Sequence, residues 1–201
     1  MIKLQEKYDI RSYFEQYTTF ENKKVLDFGC AYGSFLNFKP HQNYTGIDVR
    51  ADCIEQNKKK WPQHSWIHCD AFNTMYNVNG TDKLKLTSTY DICVSFSVLT
   101  HMRLDDIVQT VSTLKEHCDN LYLSYYSNKD KFAYETICDF RNIPKSQWED
   151  INKNLMFYLE FGNLLWTFFD DDYIAQKLKA RSCRTAFGND DYRGLQRCLV
   201  I

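Results

Sequence analysis

Glycine and proline are scarce in this chain, 7 and 3 among 201 residues. A sequence so poor in both has no material for a long linker or a low-complexity tail. Long apolar runs are missing as well. No stretch approaches the ~20 consecutive apolar residues that a membrane span needs, and the opening MIKLQEKYDI carries no apolar signal core. A basic excess is the third absence: 25 Lys and Arg stand against 26 Asp and Glu, for a formal net charge of -1. The longest basic run is Lys58-Lys59-Lys60. A face that grips nucleic acid has to neutralise many phosphates, so neither nucleic acid nor a membrane is expected as a partner. Cysteine is plentiful, with 8, but no C-x-x-C pair occurs, and Cys93 (YDICVSF) and Cys198 (RCLVI) sit inside apolar runs. That pattern reads as buried thiols in a reducing compartment rather than a disulfide frame or a zinc site. A soluble, cytoplasmic protein is the expectation.

What remains is ordinary globular material, 44% hydrophobic and 25% charged. Its length suits one domain over residues 1–201 with a single sizeable core. The aromatic share is 16%, and some of those rings are expected to line a ligand pocket. Apolar runs at 24–28 (KVLDF), 43–48 (NYTGID), 65–69 (SWIHC), 90–96 (YDICVSF) and 120–126 (NLYLSYY) predict strands. Helices are predicted over 50–60 and 104–118, with a short one near 33–38. In the second, Ile107, Val111, Leu114 and Cys118 share a face, while Asp105 and Asp106 complement the positive end of the helix dipole. Strand alternating with helix implies parallel pairing with right-handed crossovers, hence a doubly wound α/β sheet.

Two stretches break that rhythm. Residues 71–88 lack periodicity and contain the turn Asn79-Gly80. Residues 128–168 form an aromatic-rich insertion with Phe132, Tyr134, Trp148, Phe157, Tyr158, Phe161 and Trp166. After a helical stretch at 171–180, Arg184–Phe187, the turn Gly188-Asn189-Asp190-Asp191 and Gln196–Ile201 predict an antiparallel hairpin closing the sheet edge.

The segment richest in chemistry is Val25-Leu26-Asp27-Phe28-Gly29-Cys30-Ala31-Tyr32-Gly33. A hydrophobic strand ends in an acid and then turns on small residues, which lets a ligand approach the backbone. Such a turn lies at the carboxyl ends of the strands, where nucleotide-type cofactors sit. A dinucleotide fingerprint would place a third glycine where this chain has Ser34. It would also avoid an acid two residues before the first glycine, because a pyrophosphate is coming. Asp27 suits a cation instead.

The segment resembles motif I of class I, Rossmann-like methyltransferases, V-L-D-x-G-C-G-x-G, with Ala31 in place of the middle glycine. Three further stretches resemble the family's motifs in order. Gly46-Ile47-Asp48 is similar to the second-strand motif, and Asp48 lies about 20 residues beyond Asp27, the usual interval for a ribose-binding acid. Cys69-Asp70-Ala71-Phe72 is similar to the third-strand motif, whose acid meets the adenine amino group while the next residues flank the ring. Tyr90 to His101 is similar to the fourth-strand motif F-D-x-V-x-x-x-x-V-L-x-H of small-molecule methyltransferases. The resemblance implies S-adenosylmethionine as cofactor, held by Asp27, Gly29, Cys30, Ala31, Gly33, Asp48, Val49, Asp70, Ala71, Phe72, Phe96 and Ser97. It also implies a seven-stranded sheet of order 3-2-1-4-5-7-6, its last strand antiparallel and formed by residues 195–201. In this family a segment before the first strand often closes over the cofactor. Residues 1–19 with Tyr8, Arg11 and Tyr13 are that segment here, and Arg11 is expected either to meet the cofactor carboxylate or to lie on a plain surface helix.

His101 follows the fourth strand and suits general-base work on a hydroxyl, with a packing role as the alternative. No metal is expected: Asp170-Asp171-Asp172 read as the acidic start of a helix before they read as ligands. Phe96-Ser97-Val98-Leu99 is not the [N/D/S]-P-P-[Y/F/W] motif of base-amino methyltransferases, and the double-glutamate loop of arginine methyltransferases is missing. Small molecules and glycans remain as acceptors. The compact chain is similar overall to methyltransferase domains appended to glycosyltransferases, among them chlorovirus-type enzymes that O-methylate rhamnose on capsid glycans. That likeness implies a sugar hydroxyl as acceptor, a larger multidomain polypeptide and a host cytoplasm. Quinol or carboxylate acceptors, and a catalytically idle cofactor-binding subunit, are the alternatives.

Overall fold

The computed structural model describes residues 10–37, 39–73, 75–81, 83–185 and 196–201. Its centre is β1 (Val25–Phe28), whose Val25 and Leu26 are wholly buried. Strand β1 pairs in parallel with β2 (Tyr44–Asp48) on one side and β4 (Tyr90–Ser95) on the other, in register Val25↔Tyr44 and Val25↔Ile92. Beyond β2 lies β3 (Ser65–His68), and beyond β4 lies β5 (Cys118–Ser127), both parallel. All five strands fall where the sequence predicts them. Short runs with both faces covered read as continuous apolar stretches, and that is the strongest single-sequence strand signal.

The crossover helices follow with small adjustments. Helix α2 (Ala51–Lys60) links β2 to β3, and α3 (Leu104–His117) buries Ile107, Val111 and Leu114. The predicted end of α3 is corrected by one residue, because Cys118 opens β5 in extended conformation. The helix expected near 33–38 is a single 3-10 turn, Ser34–Leu36. Pro40 biases Lys39 towards extended backbone and leaves no room for a longer helix before β2. The face left bare is covered by α1 (Ile10–Glu15), whose Tyr13 and Phe14 are buried with Phe20, Phe35 and Tyr44 in one apolar cluster. Residues 1–9 of the predicted N-terminal segment, Tyr8 among them, lie outside the described residues.

The far edge holds the main difference. Strand β5 runs for 10 residues and, on the side away from β4, serves two neighbours. Along its middle it pairs antiparallel with β9 (Arg197–Val200), in register Tyr122↔Val200 to Tyr125↔Arg197, as expected for the C-terminal strand. Strand β8 (Ser182–Thr185) pairs antiparallel with β9 and so runs parallel to β5. These seven strands stand in the expected 3-2-1-4-5-7-6 order; the turn predicted at 188–191 lies outside the described residues. The last residues of β5, Tyr126 and Ser127, pair instead with β7 (Leu164–Phe169), which forms an antiparallel hairpin with β6 (Met156–Phe161). The aromatic insertion is therefore a folded extension of the sheet. Helices α4 (Lys131–Arg141) and α5 (Trp148–Lys153) pack on it around Tyr126, Tyr134, Ile151, Leu159, Trp166 and Phe168. The two-residue Gly162-Asn163 link, with Gly162 at φ 61° and Phe161 facing Leu164, is a hairpin signal that was present in the sequence. Helix α6 (Asp171–Leu178) then leads into β8.

Candidate functional site

The carboxyl ends of β1, β2 and β3 meet in one loop cluster. Gly29 leaves β1 at φ 78°, and a Cβ there would run into the Val98 side chain, so this turn admits glycine alone. The amides of Gly29 and Cys30 both donate to the Ile47 carbonyl, at 2.8 and 3.1 Å. Ala31 stands at φ 44° and Gly33 at φ 71°. The Ala31 amide donates to Asp48 Oδ2 at 2.8 Å, and its carbonyl accepts from Asn57 Nδ2 at 2.7 Å. Asn57 is a wholly buried residue of α2 that sequence reasoning passed over; nothing in its local pattern distinguishes it.

Three carboxylates frame this loop. Asp27 is buried and accepts the Tyr44 hydroxyl at 2.6 Å. Burial pushes its pKa up to about 7, with the Asp48 charge adding to the rise and the Tyr44 hydrogen bond opposing it. Asp48 is also raised by burial, against the pull of the Ala31 and Arg50 amides. Arg50 turns its guanidinium to Asp52 at 2.6 Å and to the Tyr32 hydroxyl at 2.8 Å, so neither Asp27 nor Asp48 has an ion-pair partner among the described residues. Two neighbouring buried carboxylates without a paired cation make a site short of positive charge. Asp70 follows β3, and the Cys69 amide donates to the Asp48 carbonyl at 3.0 Å, which ties that loop to the second acid. Asn77 Nδ2 donates to Asp70 Oδ1 at 2.7 Å and to the Ala71 carbonyl at 3.0 Å. Phe72 is half exposed, and Val49 offers its carbonyl to His68 Nε2 at 3.2 Å. The donor set suits a ligand with a cationic end, hydroxyls that donate to a carboxylate, and a flat ring.

Phe96 and Ser97 close the end of β4. The Phe96 ring packs edge-on against Tyr13 at 5.1 Å, which turns it into the N-terminal helix. Ser97, at φ 61°, donates its amide to Ser124 Oγ at 2.7 Å and accepts from Gln196 Nε2 at 3.0 Å. Ser124 Oγ in turn donates to Gln196 Oε1 at 2.5 Å. This buried polar network joins β4, β5 and the approach to β9, and its members are far apart in sequence, which is why no motif announced it. Arg11 is not brought to this end of the sheet. Helix α1 lies with Tyr13 and Phe14 inward and directs Arg11 to Glu15 at 2.9 Å and to the Lys39 and Pro40 carbonyls, just ahead of β2. There it lines a cavity of about 510 Å³ beside Lys23, His41 and Asn43, at the amino ends of the strands.

His101 ends a 3-10 turn, Leu99–His101, beneath the β6–β7 hairpin. Its Nδ1–H donates to the Leu165 carbonyl at 2.8 Å, which leaves the Nε2 lone pair as the free nitrogen. Tyr76 and Trp166 stand edge-on at 5.6 and 6.3 Å. Burial pulls the His101 pKa down to about 4; the Leu165 carbonyl opposes and the Arg141 charge reinforces the shift. This lies well below the ordinary histidine value of about 6.5, and the ring is neutral throughout the physiological range. The hairpin holds this segment further through Thr167 Oγ1 to the Met102 carbonyl at 2.8 Å and the Leu104 amide to the Tyr158 hydroxyl at 2.9 Å.

The aspartate run at 170–172 has other duties. Asp170 caps α6 by accepting the Asp172 and Tyr173 amides, each at 3.1 Å, and Asp171 receives the Tyr125 hydroxyl at 2.8 Å and the Arg197 guanidinium.

A family model described as a methyltransferase domain matches residues 26–120, the span from β1 into β5. No curated protein matches the chain by sequence. Among solved structures, a magnesium protoporphyrin IX methyltransferase from Synechocystis PCC 6803 with bound S-adenosylhomocysteine is similar at TM-score 0.57 and 14% identity, over 95% of this chain and 78% of that one. A glycopeptide N-methyltransferase complexed with S-adenosylhomocysteine gives TM-score 0.59 at 9% identity, over 94% and 86%. An S-adenosylmethionine-dependent methyltransferase from Clostridium acetobutylicum gives 0.57 at 12%, over 98% and 90%. At these identities the likeness is one of fold.

Proposed function

We propose that this chain is an S-adenosylmethionine-dependent methyltransferase that methylates a hydroxyl of a small molecule or glycan, without a metal, using His101 as general base. The observation that carries this reading is the His101 ring, pinned through Nδ1 with its Nε2 lone pair free, on the segment that follows β4. When bound, the cofactor supplies a methyl carbon made electrophilic by its sulfonium. On our reading Asp27 faces the cationic end, Asp48 accepts from the ribose hydroxyls, Asp70 meets the adenine amino group, and Phe72 flanks the ring. The backbone of Gly29, Cys30, Ala31 and Gly33 lets the ligand lie close, with Val49 and Ala71 beside it. His101 Nε2 takes the hydroxyl proton as the acceptor oxygen forms its new bond.

The rings around His101 support a ring-shaped acceptor, because Trp166 of the insertion and Tyr76 of the 71–88 stretch flank it. A sugar hydroxyl, on a glycan and in company with a glycosyltransferase, is the form of that acceptor we infer. All eight cysteines are free thiols, which supports a cytoplasmic site of action. Among the described residues no helix is long and apolar enough to cross a membrane.

The test is release of S-adenosylhomocysteine by the purified protein over a panel of sugars, quinols and carboxylates. His101→Ala is expected to lower kcat by roughly 10²–10⁴ with cofactor affinity nearly intact. Methanol release from the product in mild alkali would mark an ester and defeat the hydroxyl reading; a loss seen entirely in cofactor binding would defeat the role of His101.

A further inference from the structure

We propose that the acceptor carries an anionic group, a carboxylate or a phosphate, which Arg141 holds at one end of an aromatic row while His101 faces the reacting hydroxyl at the other. This rests on the hydroxyl-methylation reading above. Arg141 is the last residue of α4, and its guanidinium lies over Phe140 at 4.9 Å and over Trp166 at 5.9 Å. Trp166 stands 6.3 Å from His101, and His101 5.6 Å from Tyr76.

The guanidinium forms no ion pair or hydrogen bond among the described residues, although acids are close along the chain. Those acids are taken. Asp139 pairs with Lys145 at 2.7 Å, Glu135 with Lys131 at 3.7 Å, and Glu160 with Arg103 at 2.6 Å. The helix end is closed by the Asn142 amide, which serves the Cys138 and Asp139 carbonyls, so the Arg141 guanidinium is left out of that cap. Two more polar atoms in the row lack partners among the described residues: the Trp166 indole N–H and His101 Nε2. Trp166 is 4% exposed and His101 8%, and neither of these two atoms is sealed from solvent. Each group so placed gains from a ligand that satisfies it. Guanidinium and indole N–H form a donor end that suits an anion, and Nε2 forms an acceptor end that suits a hydroxyl proton.

The experiment is calorimetry on the full chain with S-adenosylhomocysteine bound, titrated in turn with glucuronate, a hexose phosphate and glucose. At least one charged sugar is expected to bind about tenfold or more tightly than glucose, the worth of a hydrogen bond to a charged group. Arg141→Gln should erase that difference and Arg141→Lys restore part of it, with melting temperature and S-adenosylhomocysteine affinity confirming that both variants fold. Glucuronate binding without hexose phosphate binding, or the reverse, identifies the anion. Equal or undetectable binding of all three, or a preference that survives Arg141→Gln, overturns the proposal. Turnover is read separately: Arg141-dependent binding with no methyl transfer to any hydroxyl defeats the hydroxyl reading and leaves the anion site standing.

Discussion

Ala31 shows how much a single residue owes to the backbone around it. As a sequence feature it is a mild departure from a glycine motif, but the chain holds it at φ 44°, where an L side chain is strained by roughly 1–2 kcal/mol. Its amide and carbonyl are both in use, by Asp48 and Asn57, so a glycine there keeps every hydrogen bond. Ala31→Gly should therefore stabilise the fold by about 0.5–1 kcal/mol after the added freedom of the unfolded chain is discounted. Chemical denaturation of the two proteins checks this; a loss of stability would mean that the loop relaxes the strain by other means. His101 carries the complementary lesson. Its position after the fourth strand was legible in the sequence, while its tautomer and lowered pKa come from Leu165 and the burial that the hairpin imposes.

At the level of elements, the β6–β7 hairpin and the cap of α6 are both open to test. A Cβ at Gly162 meets nothing within 4 Å, so Gly162→Ala has no steric cost beyond the backbone strain at φ 61°. A destabilisation of about 1 kcal/mol is expected. The hairpin should loosen over Leu165, and the His101 pKa measured by NMR should move up from its lowered value. An unchanged His101 titration would show that the hairpin does not set it. At α6, Asp170→Ala should cost about 1 kcal/mol, the usual worth of a side-chain cap. Turnover should survive the change and should survive excess EDTA in the wild type. Activity abolished by chelation and restored by Mg²⁺ would return the 170–172 carboxylates to the chemistry. The hairpin was within reach of sequence reasoning through Gly162-Asn163. Its strands carry little local signal, because alternation is blurred when both faces of a strand are buried, as in Leu165 to Phe169.

Across the whole molecule, two buried groups tilt stability in opposite directions. The unfolded chain protonates His101 below about 6.5, while the folded chain refuses that proton until about 4. Its contribution is complete above 6.5 and is lost as pH falls towards 4. Folded Asp27 keeps a proton up to about 7 that the unfolded chain releases near 3.8, so its contribution fades as pH rises through that window. Between about pH 4 and 6.5 the two slopes oppose each other. Relative to wild type, Asp27→Asn should make stability climb with pH, and His101→Gln should make it fall, each by about 1.4 kcal/mol per pH unit. Urea denaturation across that range reads the tilt, and variant profiles that only shift in parallel with wild type would contradict it. From the amino-acid sequence alone came the strand–helix alternation, the parallel centre, the antiparallel last strand and the glycine turn flanked by Asp27, Asp48 and Asp70, because each is written in local periodicity or in a short contiguous motif. The tertiary structure alone decided that Arg11 faces the amino ends of the strands, that Ser97, Ser124 and Gln196 form one network, and that Arg141, Trp166 and His101 share a row. Those groupings join residues tens of positions apart. Only the packing of elements distant in sequence, which no local pattern encodes, brings such side chains within a few ångströms of one another.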